Sequence, residues 1–139
     1  MPIKNYTTKI DANVSLGEIQ NALAKAGATK IMIDYEGGEP ISISFGINID
    51  ATSCAFKLPV NYDGVAAALK KQNVKADKAQ VVRIAWRNIR DWVLAQMALI
   101  EAGNASAGEV FLPYLIDKSG TTLYQLVVSG RLALPDNNA

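Results

Sequence analysis

Hydrophobic and polar positions along this chain follow two periods, and the change of period divides it. From Asp77 to Gly103, Val81, Val82, Ala85, Trp86, Ile89, Trp92, Val93, Met97 and Ile100 recur at steps of three and four, the spacing that places side chains on one face of a helix. Asp77 is a suitable N-cap and Gly103 a suitable C-terminal stop. Such a helix is about 37 Å long. Arg83, Arg87, Arg90 and Glu101 fall on its opposite side. Earlier in the chain the period is two. Ile41, Ile43, Phe45, Ile47 and Ile49 alternate with Ser42, Ser44, Gly46, Asn48 and Asp50, which predicts a strand with one buried and one polar face.

The remaining elements are read around these two. Lys4–Ile10 is rich in β-formers and predicts a first strand. Ser15 and Glu18 have capping-box spacing, and the helix they open runs through Ile19, Leu23 and Ala26 to Gly27. Lys30–Tyr35 predicts a strand with Ile31, Ile33 and Tyr35 on one side, followed by the turn EGGEP. Cys54, Phe56 and Leu58 mark a third member of the meander, stopped by Pro59. Asn61 caps a helix over Tyr62–Lys71. Ser106 and Glu109 form a second capping box before a short helix. Thr122–Ser129 carries both signals: β-branched residues favour a strand, whereas Thr121 as cap and Gly130 as stop favour a helix, which is the expectation.

The order β-α-β-β-β-α-α-α-α predicts an α+β fold with a mainly antiparallel four-stranded sheet covered by helices. We expect one domain over residues 1–139, with residues 1–60 forming the sheet, 61–134 helical and 135–139 a frayed tail.

Composition narrows the chemistry. Half of the residues are hydrophobic, enough for a real core, and 14 basic against 13 acidic residues argue against bulk-charge binding of nucleic acid. Histidine is absent, which removes the commonest general base and metal ligand. The lone cysteine, Cys54, lies in an alternating apolar stretch and reads as a core residue rather than a nucleophile. Asp34, Glu36, Glu39 and Asp50 flank one hairpin without a metal-ligand spacing, so they read as acids solvating turns. No catalytic residue, metal or cofactor is expected. MPIKNYTTKI has no apolar leader core, and the stretch around Trp92–Ile100 is too short to span a bilayer, so a cytoplasmic protein without a membrane partner is expected.

The segment AWRNIRDWVLAQMALIEAGNASAGEVFLPYL, with MPIKNYTT and FKLPVN, resembles a family of small uncharacterised proteins encoded by bacteriophages and prophages. That resemblance implies an accessory protein working in a bacterial host cell, and it assigns no functional residue. The order helix, three strands, helix over Ser15–Lys71 is also similar to the double-stranded-RNA-binding domain. That family needs a basic loop before its second helix, and LPVNYDG has no Lys or Arg there.

Arg83, Arg87 and Arg90 form the best candidate site, within a sector of about 60° on the long helix. They can contact successive phosphates, with Trp86 as a stacking plane and Lys70, Lys71, Lys75 and Lys78 extending the basic path. They can equally form a solvated face in which Arg87 pairs with Asp91. Ile84 and Leu94 fall beside the stripe, so Ile84, Arg87, Leu94 and Ala98 are a candidate interface for a homodimer or another partner. Two functions follow. One is a nucleic-acid-binding accessory protein. The other is an inhibitor of a host defence system that binds a protein or nucleotide partner.

Overall fold

A computed structural model describes residues 1–131. The tail read as frayed, 135–139, lies outside them. The chain folds as α1 (Ala12–Lys25), β1 (Lys30–Glu36), β2 (Glu39–Ile49), β3 (Thr52–Pro59), α2 (Tyr62–Lys71), α3 (Lys78–Glu101), α4 (Ala107–Phe111), a 3-10 turn (Leu112–Tyr114) and α5 (Leu123–Val128). The fold is α+β. Among the described residues the sheet has three antiparallel strands in the order β1-β2-β3.

The fourth strand expected at Lys4–Ile10 is a turn and an extended run without a ladder. Asn5 adopts a left-handed φ of 65°, and the segment is fastened by side chains instead. Gln80 donates to the carbonyls of Tyr6 and Thr8, while the Ile3 N–H donates to Gln72. Strand propensity alone makes no ladder, and the Gln80 side chain takes two of the segment's carbonyls instead.

α1 also begins earlier than the capping-box reading. Asp11 is the N-cap, accepting from the Asn13 N–H, so Ala12 joins Leu16, Ile19 and Leu23 on one buried stripe. Ser15 is buried inside the helix and Glu18 is free to reach across to α3.

The alternation in β2 places Ile43, Phe45 and Ile47 in the core. Phe45 packs on Phe56 and Phe111, with ring centroids 5.4 Å and 5.0 Å away. A register shift between Asp34 and Tyr35 leaves Ile41 as an extra residue in β2 next to Pro40, where a missing N–H is tolerated. Beyond it Tyr35 is exposed rather than grouped with Ile31 and Ile33. The β2–β3 turn places both Asp50 and Ala51 at positive φ, 46° and 65°.

α3 is 24 residues long with the expected Asp77 cap. It is covered from more than one side. Val81, Ala85, Trp86 and Val93 face α1 and the sheet or α2, and all are buried. Ile84, expected to be wet, is fully buried with Leu69 and Val81, flanked by Ile3, Val65 and Val74. The N-terminal segment and α2 close over that side, so the buried sector is wider than one apolar face suggests. Trp86 donates its indole N–H to the Tyr62 hydroxyl at 2.7 Å, and that hydroxyl donates to the Pro40 carbonyl. Burial raises the Tyr62 pKa despite the Trp86 donor. α5 is a helix, capped by Thr122 rather than Thr121.

Candidate binding groove

The side of α3 that carries Arg83, Arg87, Arg90, Leu94 and Ala98 is the side on which α1 lies. Glu18 of α1 accepts from Arg87 Nη1 at 2.8 Å and from Arg90 Nε at 2.6 Å. Arg90 Nη1 also reaches Asp91 at 3.0 Å. The second Asp91 oxygen takes Lys4 at 3.3 Å and the Asn5 amide at 2.9 Å. Arg83 is held by Gln80 through its Nε at 2.8 Å. The Arg87 side chain is only 14% exposed, so the stripe is largely a bracket between helices rather than a free row of guanidiniums.

The protonation equilibria fit this geometry. The Arg90 hydrogen bond holds the Glu18 carboxyl below its usual range, against the opposing effect of burial and with help from Arg87. Burial pushes Asp91 upward, but hydrogen bonds from Asn5, Arg90 and Lys4 outweigh it and lower the pKa. Burial disfavours the Arg90 cation, yet Asp91 and Glu18 raise its pKa above the ordinary value. Each carboxylate is held ionised by the cations it joins.

Several expected roles change. Arg87 pairs with Glu18 rather than Asp91. Trp86 is fully buried and offers no stacking plane. Lys78 lies 4.5 Å over the Tyr62 ring and 3.9 Å from Glu39, apart from the arginines. Lys70, Lys71 and Lys75 are exposed at the end of α2 and the following linker. Ile84 leaves the candidate interface for the core, Leu94 is half-buried against the core, and Ala98 is exposed on α3.

Beyond the bracket, α1 and α3 leave an open groove of about 620 Å³. Its floor is Ala22, Ala26, Leu94, Met97, Ala98 and Ile100. Its rim carries both signs of charge: Glu18, Lys25, Arg90 and Glu101, with Asn21 between them. The alanines keep the floor low, so a third backbone can approach closely. Glu18, Asn21 and Lys25 were missed in the sequence because α1 was read only for its caps and core. The available signal was their three- and four-residue spacing beside the buried stripe. Among the described residues no group of His, Cys, Asp and Glu is placed to hold a metal ion, and no helix is long and apolar enough to cross a membrane.

Comparison with protein-family models, curated proteins and solved structures found no match for this chain.

Proposed function

We propose that this is a non-enzymatic binding protein that seats a helical segment of a protein partner in the α1–α3 groove. The observation that carries the reading is the contrast along one side of α3. Arg87 and Arg90 are already engaged by Glu18 and Asp91, whereas Leu94, Met97 and Ala98 beside them line an open apolar floor. A trough between two helices, with small residues below and mixed charge around it, suits an amphipathic helix read at steps of three and four. The phage resemblance of the sequence makes the partner a bacterial host protein, and occupancy of a defence component is the action that fits. The second reading, nucleic acid on the arginine stripe, retains the exposed Lys70, Lys71 and Lys75 but requires Arg87 and Arg90 to leave their carboxylates.

The test is selection of peptide ligands from a random library, followed by affinity measurements on the wild type and Leu94→Glu. The reading expects amphipathic helical ligands, a loss of at least about tenfold in Leu94→Glu, and weak dependence on salt. A steep salt slope for a DNA or RNA 20-mer, abolished by Lys71→Glu and Lys75→Glu, supports the second reading instead.

A further inference from the structure

The two edges of the sheet are treated differently. The β3 edge is covered at its middle: Ile116 donates its N–H to the Ala55 carbonyl at 2.9 Å, and Leu115 bridges Phe56. β1 is the other edge, and among the described residues its only ladder is with β2. Open edges are pairing surfaces unless something blocks them.

The register shows which groups β1 offers. Gly37 and Gly38, with φ of 59° and 81°, make a two-residue turn closed by Glu36 and Glu39. The closing pair of such a turn exchanges hydrogen bonds across the hairpin. Alternation along β1 then directs the N–H and C=O groups of Lys30, Met32, Asp34 and Glu36 to β2. Those of Ile31, Ile33 and Tyr35 point outward.

We propose that β1 pairs with β1 of a second copy, antiparallel and centred on Ile33, to make a continuous six-stranded sheet. Only this register overlaps all seven residues of both strands. It places the outward-pointing residues opposite each other as hydrogen-bonded pairs, Ile33 with Ile33 and Ile31 with Tyr35. On the opposite sheet face it sets Lys30 against Glu36 at each end. Among the described residues neither Lys30 nor Glu36 has an ion-pair partner, and Glu36 faces the like charge of Glu39 across its own hairpin. The second copy's lysine relieves that repulsion twice over the two-fold axis. It also covers Ile31 and Ile33, which are half-buried, and Tyr35, which is 56% exposed.

Sedimentation equilibrium on the full chain tests this, with circular dichroism verifying that each variant is folded. The wild type is expected to show a concentration-dependent dimer. Lys30→Glu and Glu36→Lys are each expected to weaken it by about tenfold, and the double variant to return to within about threefold of wild type. Ile33→Pro, which removes an outward N–H and leaves the β2 ladder intact, is expected to abolish it. A wild type that stays monomeric at about 1 mM overturns the proposal. So does a dimer in which the charge swap fails to restore affinity, or one that survives Ile33→Pro.

Discussion

Replacing Glu18 by Ala removes the one group that ties two arginines of α3 to α1. Arg90 keeps Asp91 at 3.0 Å, but Arg87 keeps only a long 3.5 Å contact to the buried Ser15 hydroxyl. The cost therefore comes mainly from leaving the Arg87 cation poorly paired in a site where its side chain is 14% exposed. A hydrogen bond between charged groups contributes about 1.5–3 kcal/mol, and an exposed ion pair about 0–1. The Glu18 side chain is 37% exposed, which lowers the estimate to about 1–2 kcal/mol. Urea denaturation should show a lower midpoint at unchanged slope. A cycle with Arg87→Ala should give a coupling of about 1 kcal/mol. The same variant releases Arg87 from its carboxylate and leaves Arg90 held by Asp91 alone, so any affinity for nucleic acid should rise. A loss below about 0.3 kcal/mol, with no coupling, would refute the bracket.

Other outcomes follow from the packing and turns. Phe45→Ala, or Ile43→Ala, should destabilise by about 2–5 kcal/mol in urea melts, because both side chains are buried against the helices. Ala51→Gly should stabilise by about 0.5–1 kcal/mol, since Ala51 holds a φ of 65° that costs a side chain energy and glycine none. Acid should weaken the fold through Glu18 and Asp91. Both pKa values are lowered on folding, so their stabilisation is complete above the ordinary carboxylate range and is lost as pH falls through the folded values. Glu18→Gln should flatten that acid limb in thermal melts taken from about pH 7 to about pH 2.

Where a single period was strong, the sequence was readable. The β2 alternation, the span and Asp77 cap of α3, and the Ser106–Glu109 capping box all appear in the structure. Lys4–Ile10 failed because β-propensity describes a fit to a sheet, and the segment bonds instead to the side chains of Gln80, Asn88 and Asp91 on α3. The arginines were visible as a stripe, but their engagement was not. Glu18 lies 69 and 72 positions away from Arg87 and Arg90, and no local rule predicts a pair at that separation. Ile84 was misplaced for a related reason: a helix packed by α1, α2 and the N-terminal segment buries more than one stripe.

The chain's three methionines offer a direct test of the groove. Met97 lies on its floor, Met32 is on the β1 edge strand at 59% exposure, and Met1 is at the terminus. With carbon-13 methyl labels each reports a separate surface. Titration with a selected helical peptide should shift Met97 in a saturable way and leave Met1 and Met32 in place, with Leu94→Glu abolishing the shift. Saturable binding of that peptide with Met97 unmoved, or a shift unchanged in Leu94→Glu, would contradict the assignment of the α1–α3 groove as the binding site.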